Sequence, residues 1–451
     1  MLYSMNKIRQ HIKWIVVTLL AAVAIVSCTP DWIDEVKPDL TRGSGNYGER
    51  EINEETRKVM LLYSAGFNSL SSYLKDDIED LKKGYIPLNM RTSDVVLIYS
   101  HFPIPGEGYK TQSSPTLVRL HKGIDSVLVA DTLVVYPKGT VSASAEQIHN
   151  VLSYINKNFR AKSYGMIFSS HATGYLPAGY YLNPTGESGD ISWMSAKRQQ
   201  MTVVPYIEPE YDPSLPMVKS IGQDQVGIYG DYVSYEINLD EFADAIPMHL
   251  DYLLFDACLM GGIEVAYELK DKVGRVGFSQ TEVLAEGFCY ESLTKHLLGN
   301  RESDPESVCR DFFNQYDIQS SVYRSATISL IDCSRLSPLA EVCKDLFEKY
   351  SDKIKALDHR KVQKFFRSNK HWFYDLESIL LNAGISPEEE ARLHDALDEC
   401  VVYKAHTPEF MSEFTINTFS GFSMYLPNQG SEDLNKFYRS LKWNQDTGLV
   451  N

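Results

Sequence analysis

The sequence predicts an α/β protein: a mostly parallel sheet sandwiched by helices, with a C-terminal helical subdomain. Three observations carry this. Apolar runs of strand length recur at 59–63, 95–99, 164–168 and 252–255. Their apolar residues are consecutive rather than alternating, as strands buried on both faces require. Amphipathic helical stretches lie between them, the alternation that builds a parallel sheet covered by helices.

The elements follow in order. Residues 1–27 read as an export signal, with Lys7, Arg9 and Lys13 ahead of an apolar run at 14–26 that is too short to span a bilayer. The run ends in Ile25-Val26-Ser27-Cys28, which resembles the lipobox of bacterial lipoproteins. That resemblance implies lipidation of Cys28 and anchoring in the bacterial cell envelope, at the outer membrane or cell surface. Residues 28–57 are polar and acidic, an expected flexible tether. The tether includes Gly43-Ser44-Gly45-Asn46-Tyr47-Gly48, a formal dinucleotide fingerprint, but no strand precedes it and the match is chance.

A core is expected over 58–334. After the first strand, Leu70, Tyr73, Leu74, Ile78 and Leu81 fall at helical spacing. The segment 125–136 reads as two strands around a turn. Ile148, Val151, Leu152 and Ile155 mark one face of a helix over 145–159. The stretch 172–224 is rich in Pro, Gly and polar residues, and a loop of that length inside a compact domain is expected to be functional or disordered. Residues 335–451 read as the helical subdomain, with helices over 338–350, 371–383 and 387–402. The last of these is announced by Ser386-Pro387-Glu388-Glu389. A strand returns near 419–427 before a final helix at 432–441.

Charge and cysteine content narrow the function. A formal charge of −16 repels phosphate backbones, so nucleic-acid binding is disfavoured, while cationic peptides are attracted. Of the seven cysteines, six remain beyond Cys28; their spacing shows no pairing framework, and most read as free buried thiols.

Reactive side chains follow two of the apolar runs. The first run ends in Ser169-Ser170-His171-Ala172, the second in Asp256-Ala257-Cys258-Leu259. If both strands belong to one parallel sheet, His171 and Cys258 emerge at the same edge, where ligands bind in such sheets. A thiol beside an imidazole is a minimal nucleophilic pair. On spacing alone, a buried structural cysteine is the stronger reading.

The residues around Cys258 decide between them. Phe255-Asp256-Ala257-Cys258-Leu259-Met260-Gly261, followed by Glu264-Val265-Ala266-Tyr267-Glu268-Leu269, closely resembles the nucleophile motif of clostripain-like cysteine peptidases. Further similarity lies at 63–68, 221–224, 279–290 and 420–427. The resemblance implies a caspase-like fold and an endopeptidase cutting after Arg or Lys. It implies His171 as base and acid, and Cys258 as nucleophile. The backbone amides of Ala172 and Cys258 would hold the oxyanion, and Asp256 would lie at the floor of the specificity pocket. Members of the family often mature by self-cleavage in the loop after the histidine, for which Lys197 and Arg198 are the candidates here.

The chain departs from the family pattern in places. Ala172 stands where glycine is usual, Tyr175 where tryptophan often lies nearby, and Gln280 where an acid often follows Ser279; Glu282 and Glu286 are close. No cofactor or metal is expected; some members respond to calcium, but no EF-hand ligand spacing occurs. No G-x-S-x-G, G-x4-G-K-[ST], H-E-x-x-H or C-x-x-C occurs either. The expected partners are polypeptides with Arg or Lys before the scissile bond, and a membrane through the N-terminal lipid. The rival reading is a catalytically inactive surface lipoprotein that uses the same fold as a binding module.

Overall fold

The computed structural model describes residues 57–90, 93–107, 109–181, 202–205, 215–218, 224–228, 231–367 and 370–451. The signal segment, Cys28, most of the tether, and Lys197 and Arg198 lie outside the described residues.

A nine-stranded sheet organises the chain. Five parallel strands form its centre: β1 (Lys58–Ala65), β2 (Val95–His101), and then, past two edge strands, β5 (Ser163–Ser169), β6 (Leu250–Asp256) and β7 (Val273–Phe278). The edge strands beside β2 are β3 (Thr116–Lys122) and β4 (Leu128–Val135); beside β7 they are β8 (Thr327–Asp332) and β9 (Val401–His406). The spatial order is β9-β8-β7-β6-β5-β1-β2-β3-β4, with both outer pairs antiparallel.

All eight residues of β1 and all seven of β2 are buried, which is why these strands are apolar without alternation. The direction in which successive strands are added switches between β1 and β5. The carboxyl ends there form the crevice in which such sheets place their ligands.

Helices cover both faces. Helix α1 (Ser71–Lys83) buries Leu74, Ile78 and Leu81, and α2 (Ala145–Asn158) buries the expected Ile148, Val151, Leu152 and Ile155. The Ser144 hydroxyl accepts from the Gln147 amide and starts α2. Helix α3 (Ile263–Leu269), which follows β6 and the turn after it, is buried on every residue. The segment from 335 contributes α4 (Leu336–Lys355), α5 (Leu376–Ala383) and α6 (Pro387–Cys400). The capping box that the sequence announces is present: Ser386 Oγ accepts from Glu389 N at 3.3 Å, and the Glu389 carboxylate accepts from Ser386 N at 2.8 Å.

Three expectations are corrected. The segment 125–136 is not two strands around a turn: 128–135 is one continuous strand, and its partner β3 lies before the turn. Asp131 is tolerated mid-strand because it accepts from His121 Nε2 at 2.9 Å at the sheet edge. Residues 335–451 do not form a separate helical subdomain, since Val401–His406 is the last strand of the main sheet. The return expected at 419–427 is a two-residue strand, Ser423–Met424, paired with Tyr374–Asp375 instead of entering the sheet. Among the described residues, no helix is long and apolar enough to cross a membrane.

Candidate active site

Register places the two reactive side chains. Ser169 of β5 pairs with Asp256 of β6 in the parallel ladder, so His171 and Cys258 each stand two residues beyond a matched pair. Adjacent strands are about 4.8 Å apart, so the two residues leave one edge side by side. On the other side of β5, β1 runs into Asn68-Ser69 at the same edge. Ser69 Oγ lies 3.1 Å from His171 Nε2, an imidazole contact that no sequence pattern announced.

Cys258 is fully buried. The Val283 amide donates to its sulfur at 3.0 Å, a contact that stabilises a thiolate once one forms, while the thiol itself donates to Val283 O at 3.7 Å. The loop after β7 that carries Val283 is laced to the loop after the cysteine. Leu259 N donates to Thr281 O at 2.9 Å, and Gly261 N to Ser279 O at 2.7 Å. Leu259 adopts φ 61°, a left-handed conformation costing an ordinary residue about 1–2 kcal/mol. Its carbonyl in turn closes on the histidine loop. A Cβ built on Gly174, itself at φ 64°, would stand 2.6 Å from Leu259 O. That contact needs glycine, and it joins the loops that carry His171 and Cys258.

The acids divide into distinct roles. Asp256 is fully buried and accepts from the Tyr290 hydroxyl at 2.6 Å and from Ser169 Oγ at 3.1 Å. Burial, and then the Asp256 charge, hold the Tyr290 hydroxyl far above its usual range. Glu282 is taken up internally: Arg367 donates to both of its carboxylate oxygens, at 2.5 and 2.8 Å. Glu286 is exposed. Gln280 is no pocket residue here. Its side-chain amide donates to Ser329 Oγ at 2.9 Å and to Gly421 O at 2.8 Å, partners that a carboxylate could not serve together.

The segment after His171 folds over the site. Tyr175 is buried, donates to Trp372 O at 2.8 Å and packs against Phe373, Tyr425 and Tyr438, so tyrosine is accommodated as core. Tyr181 is close enough to Cys258 that, after burial, Glu282 and Cys258 raise its hydroxyl well above 10. Lys370 Nζ donates to Tyr181 O at 2.6 Å, and Trp372 packs against both Tyr180 and Tyr181. Ala172 packs against the core and lines a cavity of about 60 Å³ beside His171, with Phe168, Gly174 and Met260; Cys258 is not among its walls. The other described cysteines are free, and burial raises the thiols of Cys289, Cys309, Cys333, Cys343 and Cys400, the opposite of a reactive setting. Among the described residues no group of three or more His, Cys, Asp or Glu could hold a metal ion.

A thiol and an imidazole on neighbouring parallel strand ends of a helix-covered sheet define a cysteine peptidase of caspase-like fold. The chain belongs to the clostripain family, whose pattern matches residues 62–186 and 210–448. The unmatched stretch between these segments contains Lys197 and Arg198. An inactive zymogen of a C11 protease from Parabacteroides distasonis is 26% identical, covering 87% of this chain and 98% of its own at a TM-score of 0.66. A secreted C11 cysteine protease from Bacteroides thetaiotaomicron, 24% identical over 87% of this chain and 99% of its own, shares the fold at a TM-score of 0.66. A secreted protease of the same organism in complex with an irreversible peptide inhibitor shares it at 0.64, with 22% identity over 86% and 98%. No curated protein matches the chain.

Proposed function

We propose that this cysteine peptidase is an endopeptidase that cuts polypeptides after Arg or Lys, with Cys258 as nucleophile and His171 as proton carrier. The observation that carries the assignment is the register: both residues stand two positions past the Ser169–Asp256 pair on adjacent strands. His171 takes the thiol proton, and the thiolate attacks the scissile carbonyl carbon. The amides of Cys258 and Ala172 are the donors for the resulting oxyanion. His171 returns the proton to the leaving amine as the C–N bond breaks, leaving a thioester on Cys258. Water, deprotonated by His171, then attacks the thioester and releases the acid and the thiol.

Asp256 is the acid proposed for the pocket floor. A buried carboxylate gains strongly from a guanidinium or ammonium partner, and the hydroxyls of Ser169 and Tyr290 hold this one in place. Glu286, exposed on the same loop as Glu282, adds negative charge on the approach. The sulfur is fully covered and Tyr181 lies against the site, so turnover requires this segment to move. Cleavage at Lys197 or Arg198, in the stretch that leads on from Tyr181, is the proposed trigger. Lipidation at Cys28 would place the enzyme on the cell envelope, facing outward.

The test is turnover of fluorogenic peptides ending in Arg, Lys or Asp by the chain and by Cys258→Ala, before and after nicking near Arg198. Turnover after Arg or Lys that vanishes with Cys258→Ala is expected. A folded, nicked chain without any turnover would leave the fold serving as a binding module.

A further inference from the structure

Residues 363–365 pair antiparallel with residues 373–375. Phe365 N donates to Phe373 O and Asp375 N to Gln363 O, both at 2.9 Å. Arg367, Lys370 and Trp372 reach the active-site loops. Lys364, Phe366, His371 and Tyr374 instead line a cleft of about 530 Å³ that the catalytic reading does not use.

This cleft differs in charge from the rest of the molecule. His359, Arg360, Lys361, Lys364 and His371 contribute to its walls, and among the described residues no carboxylate does, in a chain of net charge −16. Arg360 is answered by Asp358, which lies outside the lining and receives Nε at 2.8 Å and Nη2 at 2.9 Å. Lys361 and Lys364 are the other formal cations of the lining, and Lys361 lies within the field of the same Asp358. Lys364 Nζ sits 5.5 Å from the Phe366 ring centre and 5.4 Å from that of Phe414, a position fixed by two aromatic faces. The His359 and His371 rings stand edge to face at 5.0 Å. Burial, then His359 and Lys364, lower the His371 pKa from 6.5, so its ring favours the neutral form and lines the cleft as a hydrogen-bonding group beside the lysines.

The walls are built in advance. Gln363 Nε2 donates to Thr415 O at 3.0 Å while its Oε1 accepts from Asn417 N at 2.8 Å, tying the 415–418 loop to the 363–365 segment. Gathering like charges around a preformed hollow costs free energy unless an opposite charge enters it.

We propose that this cleft is a binding site for a small multivalent oxyanion, a polycarboxylate or a phosphate-bearing molecule. Lys361 and Lys364 are the principal cations, with His359 and His371 completing the wall. The volume suits a ligand of metabolite size. The site does not depend on the peptidase assignment, because it shares no residue with the proposed catalytic group.

The test uses the full chain carrying Cys258→Ala, titrated calorimetrically with citrate and, separately, with inorganic phosphate at ionic strength held constant with sodium chloride. Saturable one-to-one binding of either probe is expected. It should weaken at least tenfold in Lys361→Gln/Lys364→Gln and stay unchanged in Lys83→Gln, a surface control on α1. The single variant Lys361→Gln, at an exposed position, should weaken binding about threefold without touching the fold. The preferred probe separates carboxylate from phosphate recognition. Heats that never saturate, or affinity unaltered in the double variant, would overturn the proposal.

Discussion

The Val283 N–H is aimed at the Cys258 sulfur, and its position depends on the neighbouring side chain. Glu282 is clamped by Arg367 from a segment 85 positions away. Removing the clamp with Glu282→Gln frees the loop and weakens the N–H that favours thiolate. Alkylation of Cys258 by iodoacetamide at pH 7 should slow about three- to tenfold, while the rate at pH 10 stays unchanged. An equal loss at both pH values would show that access, not thiol acidity, had changed. Asp256→Asn keeps the Tyr290 and Ser169 contacts but removes the charge. It should lower kcat/KM on Arg and Lys peptides about 100-fold, near 2.7 kcal/mol, and leave alkylation of Cys258 intact. Cys258, His171 and Asp256 are candidates that the sequence offers, because each closes or follows an apolar strand and sits in a recognisable motif. Ser69, Val283, Arg367 and Tyr181 are not. The first three act through contacts across 25 to 102 positions, and no local pattern encodes those.

At the scale of elements, legibility follows burial. The strands β1, β2, β5 and β6 are largely apolar because both faces are covered, so their runs stood out. Strand β9 has no fully buried residue, and β4 has none either, so neither carries the signal of a core strand. Helix α6 was legible down to its first residue through its capping box. Ser386→Ala should cost about 1 kcal/mol, read as a lowered midpoint in urea with unchanged slope. Helix α3 carries a less visible feature. Burial raises the Glu264 carboxyl from 4.5 to about 7, against hydrogen bonds from Tyr425 N and the Tyr438 hydroxyl that lower it. The unfolded chain loses this proton near 4.5 and the folded chain only near 7, so the folded state binds more protons in between. Stability from this group therefore falls as pH rises from 4.5 to 7, by about 3 kcal/mol, and is level above. Asp375, raised by burial to about 6, adds a slope of the same sign. Urea midpoints of Glu264→Gln across pH 5 to 8 should show a visibly flatter dependence than the parent; an identical slope would remove Glu264 from the account.

At the scale of the molecule, the sequence suggests a division at 334/335 that the packing denies. Helical periodicity after 335 is real, yet it says nothing about what those helices rest on. The last hundred residues supply the final strand of the main sheet and bond to the loops that follow Cys258 and β7. Ser423 N donates to Gly261 O at 2.8 Å, Gln280 is anchored on Gly421 O, and Glu264 Oε1 accepts from Tyr425 N and the Tyr438 hydroxyl. Removing the segment would strip these partners from a buried carboxyl and a buried amide, and would leave β8 without its neighbour β9. Each orphaned buried group costs about 1–3 kcal/mol, and a domain has only about 5–15 kcal/mol to lose. A chain ending at Ser334 would thus be a chain without a native state, whereas one cut only after Arg198 keeps the contacts of Gly261, Gln280 and Glu264 and the β8–β9 pairing. Limited proteolysis with urea unfolding distinguishes the two cases. The chain nicked after Arg198 should unfold in one cooperative transition near the intact midpoint, and the chain stopped at Ser334 should show none. A cooperative transition in the shortened chain would restore the two-domain division and make residues 335–451 an accessory to an independent core.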